Sequence, residues 1–487
     1  MTKKNYFISA NRIFTKWRAW SWIFTLLVAF GGIYEPKLGL LVFVVIAGLL
    51  VTSFFGGRYW CGNICAHGSL YDQVLMKLTR NKAIPKLFKS KILITLFLIW
   101  FGGKITFKMV TVFMNFSGMD ILDRLGFIFV SSYLMVLIIG VPLGLVFTPR
   151  TWCQFCPMGT MQKLSYKLGN FLRVNNKTDV KISIASKDAC HSCGKCSRVC
   201  PMQLEPHIGF DENNQFSSDN CIKCKTCVEN CPAKILSLEK TKDAVSITDE
   251  YEKKHISNRQ KFNATIKEIR YLEKEVMEIV FDLGQKTMNY KAGQFVLVQI
   301  QSNPIMMRAY TVSGYNTLEN ELRITVKKVK NGYGTDIIFD TFKVGQRVNL
   351  EGPMGEELIV DKSAKNILLV AAGIGITPFI PILEELKAFG YEGEVKLVYG
   401  ARHRRDLHYC QEIKEIIEDR ENMQFIPVVS RDKDFNGEKG YVTDVISKLS
   451  LHDTKIYMCA AKNVAKSLEG LLDEQNFNKE DFFVETA

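Results

Sequence analysis

Histidine is scarce in this chain, which has seven histidines among 487 residues, and none of them lies in a long apolar run. Because a haem held within a membrane takes axial ligands such as histidine, the sequence argues against a transmembrane haem. Acidic residues are outnumbered by basic ones, 50 against 63. Many of the basic residues flank apolar runs, as the positive-inside rule expects, and this placement argues against binding of nucleic acid.

Four apolar stretches within the first 150 residues predict membrane-spanning helices. About 20 apolar residues in a helix cross a bilayer core of about 30 Å. A signal peptide is the alternative interpretation of the first stretch, but Glu35-Pro36-Lys37 does not form a small-residue cleavage site. The predicted spans are residues 19–34, 38–55, 92–103 and 125–147.

Basic residues predict the orientation of these spans. They are concentrated in residues 1–18 and 58–91, so both segments are predicted to be cytoplasmic. With four spans, the C-terminal part of the chain then lies in the cytoplasm as well. We therefore expect a multi-pass protein of a bacterial-type cytoplasmic (inner) membrane, in contact with lipid and with both termini in the cytoplasm.

A short motif occurs twice, each time after a pair of predicted spans. It reads Arg, any residue, Trp, Cys, then a second Cys with a Gly three residues later. The first copy contains Cys61 and Cys65, and the second contains Cys153 and Cys156. If the two copies pack side by side, four thiolates converge, which is the ligand number of an iron–sulfur cluster. A zinc site and metal-free cysteines are the alternatives.

Eight further cysteines form the pattern C-x2-C-x2-C-x3-C-P, in residues 190–201 and again in 221–232. This is the bacterial two-cluster ferredoxin pattern, in which the fourth cysteine of each run binds the other cluster. A zinc ribbon is the alternative, but two full copies with the trailing proline argue against it. The predicted ligands of one [4Fe–4S] cluster are Cys190, Cys193, Cys196 and Cys231, and those of the second are Cys221, Cys224, Cys227 and Cys200.

With these motifs, residues 15–240 resemble the membrane polyferredoxins of NapH and NosR type. Members of that family have two C-x3-C-P motifs at helix ends, followed by a ferredoxin segment. This chain departs from the pattern at Ala66, where the first motif expects proline, and in the second motif, which has two residues between its cysteines. The resemblance implies a further iron–sulfur cluster at the membrane cysteines, and the departures leave its type open.

The C-terminal half has a different pattern, with alternating apolar and polar residues in 294–300 and 321–329 that predict half-buried strands. Between these strands lies Arg308-Ala-Tyr310-Thr311, and Gly332-Tyr-Gly334-Thr335 follows them. Further on, a buried strand predicted at 367–372 runs directly into Gly373-Ile-Gly375-Ile-Thr377-Pro378 and a helix. A turn of this kind presents backbone N–H groups and a helix dipole to a pyrophosphate.

In this order the motifs of residues 255–487 resemble the ferredoxin–NADP reductase family. The resemblance implies an antiparallel β-barrel that binds FAD and an α/β domain that binds NAD(P)H. It places Arg308 on the flavin phosphate, Tyr310 against the flavin ring, Thr311 in a hydrogen bond with that ring, and Gly332, Gly334 and Thr335 at a second phosphate loop. It places Gly373, Gly375, Thr377 and Pro378 at the pyrophosphate of the dinucleotide.

The same resemblance makes Tyr310 and Cys459 the candidate catalytic residues, since Cys459 stands where the family has a cysteine near the nicotinamide. Ser430 and Arg431 lie where users of NADPH often contact the 2′-phosphate. NADH and NADPH both remain open, with a slight preference for NADH. Cys410 is interpreted as structural.

We expect four domains in this multidomain chain. A flavin exchanges a hydride for single electrons, which iron–sulfur clusters accept. The domains are an α-helical membrane domain (1–175), a two-cluster ferredoxin-like α+β segment (176–250), an FAD-binding β-barrel (255–360) and an NAD(P)-binding α/β domain (361–487).

The order of these domains predicts electron transfer from NAD(P)H through FAD and [4Fe–4S] clusters to a quinone, or to a redox partner protein that is membrane-bound or exported. Three alternatives remain open at this point. They are reverse flow from quinol to NAD(P)+, an iron–sulfur redox sensor or maturation regulator, and a scaffold whose nicotinamide site is inactive.

Overall fold

The computed structural model describes residues 6–118, 120–254 and 259–486. The chain divides into two compact units, Met1–Ser257 and Asn258–Ala487. This division falls a few residues after the predicted end of the ferredoxin segment at residue 250, so the cysteine clusters lie in one unit and the flavin and nucleotide motifs in the other.

The first unit is mainly helical as far as residue 178. Most of its helices are apolar and several are interrupted by short 3-10 segments. The helices are α1 (Lys16–Trp20), α2 (Trp22–Leu26), α3 (Gly32–Tyr34), α4 (Leu41–Gly56), α5 (Tyr59–Asn63), α6 (Ala66–Gln73), α7 (Lys91–Asn115), α8 (Asp120–Val146), α9 (Pro157–Phe171) and α10 (Asn175–Thr178).

Three helical runs within the described residues are long and apolar enough to cross a membrane: Pro36–Gly56, α7 and α8. They correspond to the second, third and fourth predicted spans. The third is longer than predicted, because α7 continues past Gly103, and Lys104 lies over the ring of Trp100 instead of ending the helix.

The first predicted span, residues 19–34, is helical only in pieces. Helices α1 and α2 are separated at Ser21, and residues 27–31 form a π-helical turn before α3. The break arises from contacts with α6, because Ser69 and Gln73 of that helix donate hydrogen bonds to the carbonyl oxygens of Arg18 and Ala19. Those oxygens would otherwise accept from the next helical turn.

The ferredoxin segment is a small α+β structure. Its sheet has the order β2-β1-β3 with antiparallel pairing, and helix α13 packs on β1 and β3. The cysteine loops lie around the short helices α11 and α12. The elements are β1 (Val180–Ile184), α11 (Lys195–Arg198), β2 (Gln215–Phe216), α12 (Thr226–Glu229), β3 (Leu236–Lys240) and α13 (Thr241–Lys254).

The second unit begins with a closed barrel of six antiparallel strands in the order β4-β5-β8-β7-β6-β9. This confirms the predicted barrel class. Burial alternates along part of β4, whereas β5 and β6 contain runs of three or four consecutive buried residues. The elements are β4 (Gln260–Glu273), β5 (Val276–Asp282), β6 (Phe295–Ser302), β7 (Ile305–Asn316), β8 (Glu321–Lys327), α14 (Tyr333–Thr341) and β9 (Arg347–Met354).

A parallel six-stranded sheet with the order β13-β12-β11-β10-β14-β15 follows the barrel. Residues 367–371 of the central strand are all buried, as expected where helices cover both faces. The elements are β10 (Asn366–Ala372), α15 (Phe379–Phe389), β11 (Glu394–Ala401), α16 (Cys410–Ile417), β12 (Met423–Val429), β13 (Glu438–Lys439), α17 (Val442–Ile446), β14 (Thr454–Ala460), α18 (Lys462–Glu474) and β15 (Phe482–Thr486).

Candidate electron-transfer sites

The two copies of the Arg-x-Trp-Cys motif pack against each other through reciprocal contacts. Arg58 Nη2 of the first copy donates to the carbonyl oxygen of Cys153 in the second, at 2.9 Å. Arg150 Nη1 of the second copy donates to the carbonyl oxygen of Cys61 in the first, at 3.2 Å. Each copy is therefore incomplete without the other, and the side-by-side packing expected from the repeat is present.

The glycine of each copy lies under the arginine of the other. A Cβ atom on Gly159 would lie 2.8 Å from Arg58 Nη2, and one on Gly68 would collide with Arg150 Nη1. Any side chain at either position would displace the guanidinium that crosses between the copies. The glycine three residues after each cysteine pair thus has a packing role that the repeat alone did not reveal.

The thiols of the two pairs receive hydrogen bonds from buried side chains. Arg58 Nη2 lies 3.7 Å from Cys61 Sγ, Arg150 Nη1 lies 3.6 Å from Cys153 Sγ, and Gln162 Nε2 lies 3.0 Å from Cys61 Sγ. Donors directed at sulfur stabilise a thiolate and tune the potential of an iron–sulfur cluster.

The four thiols also lie within electrostatic reach of one another. Burial, and then the neighbouring thiols Cys61 and Cys153, raise the pKa of Cys65 to about 11. Burial and the same neighbours raise the pKa of Cys156 to about 12. Four close, buried thiols disfavour free thiolates, whereas iron binds thiolates and offsets that cost, so the residues present fit a cluster.

A buried carboxylate balances part of the positive charge around this site. Asp72 accepts a hydrogen bond from Arg150 Nη2 at 2.7 Å, lies 3.4 Å from Arg12 Nη1 and pairs with Arg18. Burial alone would raise the pKa of Asp72, but Arg150, Arg18 and Arg12 together lower it. Three guanidinium groups thus face Asp72, and the buried Arg58 lies beside Cys61 without contacting that carboxylate, so the surroundings of the thiols are cationic.

The cysteines of the ferredoxin segment line two small cavities. Neighbouring prolines and glycines complete the walls. The first cavity is lined by Cys190, Cys193, Cys196 and Cys231, and the second by Cys200, Cys221, Cys224 and Cys227. These are the two ligand sets that the spacing predicts, with the fourth cysteine of each run at the other cavity.

Within the described residues, no three His, Cys, Asp or Glu side chains converge on a point where one metal ion could bind. The thiolates of a cubane bind four different iron atoms and do not converge on a single point. The four cysteines that line each cavity supply the number of thiolates that a cubane requires, and the assignment of individual ligands stays a prediction.

The cysteines near the predicted spans lie directly against the ferredoxin segment. A Cβ atom on Gly62 would collide with the carbonyl oxygen of Ile222 and lie 3.3 Å from Cys224 Cβ. Asn63 Nδ2 donates to the carbonyl oxygen of Lys223 at 3.2 Å. Helix α5, which contains Cys61, is thus in van der Waals contact with the loop that contains Cys224.

In the second unit, the two flavin motifs meet at the barrel surface. Arg308 on β7 lies against Gly334 at the start of α14, and a Cβ atom on Gly334 would lie 2.8 Å from Arg308 Nε. Thr335 Oγ1 accepts a hydrogen bond from the backbone N–H of Val329 at 3.1 Å, which closes the turn before α14. A guanidinium beside a helix N-terminus suits a phosphate.

Tyr310 and Thr311 follow Arg308 on the same strand and are half-buried. Burial raises the pKa of Tyr310, so its phenol stays protonated and can present a neutral aromatic face to a flat ring. The structure therefore brings together Arg308, Gly334 and the turn that contains Gly332 and Thr335, with Tyr310 and Thr311 beside them.

The nucleotide motif lies at the carboxyl edge of the parallel sheet. Gly373 follows β10 with a positive φ of 58°, a conformation that glycine adopts readily. A Cβ atom on Gly375 would collide with the carbonyl oxygen of Cys459 on the neighbouring strand β14. Thr377 Oγ1 donates to Ile374 O at 3.2 Å, and Pro378 precedes α15. The carboxyl edge of such a sheet is where dinucleotides bind.

Ser430 and Arg431 lie at the same edge, two strands away from Gly373. Their backbone N–H groups donate to the carbonyl oxygens of Ala401 and Arg402, at 3.1 and 2.9 Å, which joins the turns after β12 and β11. The side chain of Arg431 is exposed. It is therefore available to a phosphate but is not held in place by the described residues around it.

Glu485 is a candidate residue that sequence reasoning missed. It lies on β15, directly beside Cys459 in the strand register. Burial, and then the carboxylate of Glu357, raise the pKa of Glu485 to about 7, while burial raises the pKa of Cys459. A carboxyl group with a raised pKa thus stands beside a thiol with a raised pKa at the carboxyl edge of the sheet. No motif indicated this, because the two residues are joined only by strand pairing.

The barrel and the parallel sheet are linked within the second unit by buried polar contacts. Tyr409 Oη donates to Glu278 Oε2 at 2.7 Å and lies 2.6 Å from Thr325 Oγ1. Arg323 Nη2 donates to Glu412 Oε1 at 2.5 Å. These contacts position the flavin motifs relative to the nucleotide motifs.

Four known families match separate parts of the chain. Two of them are iron–sulfur domains in the first unit and two are oxidoreductase domains in the second. The matches are a 4Fe-4S binding domain (residues 38–85 and 131–175), a 4Fe-4S dicluster domain (182–232), an oxidoreductase FAD-binding domain (263–358) and an oxidoreductase NAD-binding domain (369–469).

Similar proteins are reductase components of bacterial oxygenases. The toluate 1,2-dioxygenase electron transfer component of Pseudomonas putida is 25% identical over 229 residues, which are 46% of this chain and 67% of that protein. The naphthalene 1,2-dioxygenase system ferredoxin–NAD(P)(+) reductase component of the same species is 26% identical, over 38% of this chain and 56% of that protein.

The NADH oxidoreductase HCR of Escherichia coli is 30% identical over 25% of this chain and 38% of that protein. The crystal structure of Amycolatopsis cytochrome P450 reductase GcoB has a TM-score of 0.44 and 22% identity, covering 47% of this chain and 70% of that chain. The chain thus spans about half of the length of the curated relatives it matches, between 38% and 67% for these three.

The chain therefore combines a ferredoxin reductase-like FAD- and NAD-binding module with [4Fe–4S] ferredoxin domains. Its homologues are FAD- and NAD-binding oxidoreductases of ferredoxin reductase type, which agrees with the predicted class of NAD(P)H-dependent flavin and iron–sulfur enzymes. The resemblance of residues 15–240 to membrane polyferredoxins stays a prediction beyond the 4Fe-4S domains matched there.

Proposed function

We propose that this protein is a membrane-bound reductase that transfers electrons from NAD(P)H through FAD and two [4Fe–4S] clusters to a third iron–sulfur cluster. Cys61, Cys65, Cys153 and Cys156 hold this third cluster at the cytoplasmic membrane surface. From there the electrons pass to a quinone or to a redox partner protein. The three apolar helical runs and the basic flanking segments support the membrane location.

The contact between Gly62 and the Ile222–Cys224 loop carries this proposal. It gives the electrons of the second ferredoxin cluster a short path to the membrane cysteines. The segment that contains Cys61 and the segment that contains Cys224 are in direct contact. A short path of this kind supports electron transfer between the two cysteine sets.

The cofactors supply the exchange between a hydride and single electrons when they are bound. The residues of the chain hold and orient them. Arg308 and the α14 N-terminus attract the flavin phosphate, and the turn at Gly373 brings the dinucleotide to the carboxyl edge where Cys459 and Glu485 lie. Buried arginines then favour the negative charge that each electron adds beside Cys61 and Cys153.

Anaerobic mixing of the full-length protein with NADH in lipid nanodiscs tests the relay. We expect flavin absorbance to bleach first and the iron–sulfur signals in freeze-quenched EPR samples to follow. In Cys224→Ser, the flavin should still bleach but the membrane cluster should stay oxidised. Cys410→Ser makes the same chemical change away from the cysteine clusters and should behave as wild type.

Two outcomes would contradict the proposal. One is a flavin that NADH reduces while all iron stays oxidised in the wild-type protein. The other is recovery of the chain in the soluble fraction after cell lysis without detergent, which would mean that the protein is not bound to a membrane. The same experiment run with NADPH compares the two dinucleotides.

A further inference from the structure

Helix α9 of the first unit has an exposed apolar face. The face consists of Leu164, Leu168 and Phe171, with Leu172 directly after the helix, and these side chains are between 54% and 83% exposed. Their spacing places them on one side of a helix. With 15 residues, α9 is about 22 Å long, too short to cross a bilayer core of about 30 Å.

Another side of α9 is fixed against the end of α4, which belongs to a candidate membrane span. Ser165 Oγ donates a hydrogen bond to the carbonyl oxygen of Leu50 at 2.9 Å. A Cβ atom on Gly169 would collide with the carbonyl oxygen of Phe54. Because α4 ends at Gly56, these contacts hold α9 beside the predicted cytoplasmic end of that span.

The segment around the apolar face is basic. Residues 157–178 contain four basic residues and no acidic residue: Lys163, Lys167, Arg173 and Lys177. The last three of these side chains are exposed. A helix with apolar side chains on one face and lysines beside them is typical of helices that lie in a membrane interface. Basic residues at that depth are attracted to the anionic cytoplasmic leaflet.

A small cavity opens between α9 and the ferredoxin segment. Its volume is about 180 Å³. A water molecule takes up about 30 Å³, so the cavity has room for a phosphate group but not for a whole lipid. Basic side chains outnumber acidic ones in its wall, which includes Arg58, Lys163, Lys181, Lys223, Asp179 and Asp219.

Two lysines of this wall have neutral hydrogen-bond partners. Lys163 Nζ donates to the amide oxygen of Asn220, and Lys181 Nζ donates to Ser217 Oγ at 3.3 Å. Burial, and then the charge of Arg58, lower the pKa of Lys163 to about 8. A bound anion would therefore gain from both lysines and would reduce the repulsion among the cations.

The acidic residues of the wall do not offset these two charges. Asp179 already pairs with Lys223 and accepts a hydrogen bond from Tyr166 Oη at 2.6 Å. Asp219 is exposed. One exposed carboxylate thus remains for two lysines, while the guanidinium of Arg58 adds a further positive charge. The cavity is therefore positively charged.

We propose that α9 lies in the headgroup layer of the membrane and that the cavity beside Lys163 and Lys181 binds the phosphate of an anionic phospholipid. The apolar face of α9 then contacts acyl chains. Because Lys163 is on α9 and Lys181 is on β1, the lipid phosphate ties the ferredoxin segment to the membrane surface. The inference rests on the membrane location in the proposed function and names a lipid as partner.

Two other occupants fit these observations less well. A second copy of this chain would cover the apolar face, but symmetric packing would bring the basic residues of both copies together. Inorganic phosphate would suit the cavity but would leave the apolar face exposed to water. An anionic lipid supplies both the negative charge and the apolar chains.

Lipid binding to the detergent-solubilised full-length protein tests the cavity. Native mass spectrometry compares the dissociation constants of phosphatidylglycerol and of phosphatidylcholine with the same acyl chains. We expect phosphatidylglycerol to bind about tenfold more tightly, because basic residues favour the anionic headgroup. Addition of inorganic phosphate shows whether a free anion displaces the lipid.

Replacement of single lysines locates the binding site. Lys163→Gln and Lys181→Gln should each weaken phosphatidylglycerol binding about fivefold, which corresponds to about 1 kcal/mol for one lysine. Binding of phosphatidylcholine should not change. Lys242→Gln replaces an exposed lysine on α13 and should bind both lipids as wild type does. Since Lys163 and Lys181 lie on different elements, each variant tests the cavity even if the other does not fold.

Hydroxyl-radical footprinting tests the apolar face without any substitution. The full-length protein is labelled in nanodiscs that contain phosphatidylglycerol and one chain per disc. Phe171 should be protected by lipid. Phe389 of the second unit is also exposed, at 60%, and should be labelled.

Three results would overturn the proposal. They are equal affinity of the wild type for the two lipids, equal phosphatidylglycerol affinity in Lys163→Gln, Lys181→Gln and Lys242→Gln, and labelling of Phe171 as strong as that of Phe389. Displacement of the lipid by inorganic phosphate would likewise overturn it and assign the cavity to a free anion. Protection of Phe171 only in discs with two chains would assign the face to a second copy.

Failure of the proposed function is distinguishable from these results. A chain that is soluble without detergent, or clusters that stay oxidised when NADH reduces the flavin, would contradict the membrane relay. A chain that needs detergent and transfers electrons but shows no preference for phosphatidylglycerol would contradict the lipid site alone.

Discussion

The two units surround their candidate redox sites with opposite chemistry. In the first unit, buried arginines face the sulfur atoms of Cys61 and Cys153, and Asp72 is the buried carboxylate that partly balances them. In the second unit, a protonatable acid, Glu485, lies beside the thiol of Cys459. One site is cationic, and the other contains a carboxyl group that can gain or lose a proton near neutral pH.

This difference follows from what each site receives. A cluster that accepts an electron gains negative charge and no proton, so fixed cations nearby stabilise its reduced form. A flavin that accepts a hydride gains two electrons together with a proton equivalent, so a carboxyl group whose pKa is raised at the transfer edge carries less negative charge there than an ordinary glutamate. In the proposed relay, the buried charges of the chain thus distinguish the site of single-electron transfer from the site of hydride transfer.

The largest effect should come from removing the balance of charge in the first unit. Asp72→Asn leaves Arg12, Arg18 and Arg150 buried without their carboxylate. Breaking a buried ion pair in this way costs about 3–5 kcal/mol. We expect a strong loss of protease resistance and of purified yield. Asp243→Asn changes an exposed carboxylate of the same unit and should have no such effect; equal behaviour of the two variants would disprove the charge balance.

The second largest effect should come from the loss of one cluster. Cys153→Ser removes a thiol from the membrane set, and with three four-iron clusters the iron content should fall by about one third. The EPR signals of the ferredoxin pair should persist. The measurement is iron per chain together with EPR of the dithionite-reduced protein, with Cys410→Ser as the control. Unchanged iron in Cys153→Ser would mean that these cysteines bind no cluster.

Replacement of one arginine beside the thiols tests the cationic surroundings directly and should have a smaller effect. Arg58→Gln removes the donor that lies 3.7 Å from Cys61 Sγ. We expect the midpoint potential of the membrane cluster to fall, because its reduced form loses a stabilising interaction of about 1 kcal/mol. Redox titration followed by EPR measures this. Arg80→Gln removes an exposed guanidinium and should leave the potential unchanged, and a rise in potential in Arg58→Gln would reverse our interpretation.

The acidic site of the second unit should respond to pH. Because burial raises the pKa of Glu485 to about 7, above its ordinary value of 4.5, ionisation costs more in the folded protein than in the unfolded chain. The stability linked to this group is fully present below the ordinary pKa and is lost as pH rises through about 7. We expect Glu485→Gln to abolish this part of the pH dependence.

The measurement is the temperature at which flavin fluorescence is released, recorded between about pH 5 and pH 9. The rate at which NADH bleaches the flavin is followed over the same range. Glu480→Gln changes an exposed carboxylate near the end of the chain and should retain the wild-type profile. A pH profile in Glu485→Gln that matches wild type would show that another group is responsible.

The smallest effect concerns the choice of dinucleotide. With NADH as the preferred donor, Arg431→Ala should change the KM for NADH less than about fivefold, because an exposed charge contributes less than about 1 kcal/mol. Steady-state kinetics with NADH and NADPH measure this. A large rise in KM for NADPH alone, with NADPH the better donor in wild type, would instead assign Arg431 to the 2′-phosphate.

Spacing along the chain predicted the local features well. The β10 strand, the turn at Gly373 and helix α15 follow one another as the apolar run and the glycines indicate, because each contact is made within a few residues. The two cysteine runs were likewise interpretable from the sequence, because short loops bring their thiols together. The interruption of the first predicted span could not be predicted, because contacts from α6 to Arg18 and Ala19 interrupt a helix that the composition of the span favours.

The sequence by itself determined the cofactor classes, because these depend on residue type and on short-range spacing, and its resemblance to the ferredoxin–NADP reductase family implied the barrel and the α/β domain. Only the tertiary structure decided that Arg58 crosses to Cys153, that Gly62 touches the Cys224 loop, and that Glu485 lies beside Cys459. These contacts join residues that are distant along the chain. Helix and strand packing bring them together, and no local pattern records which distant surfaces will meet.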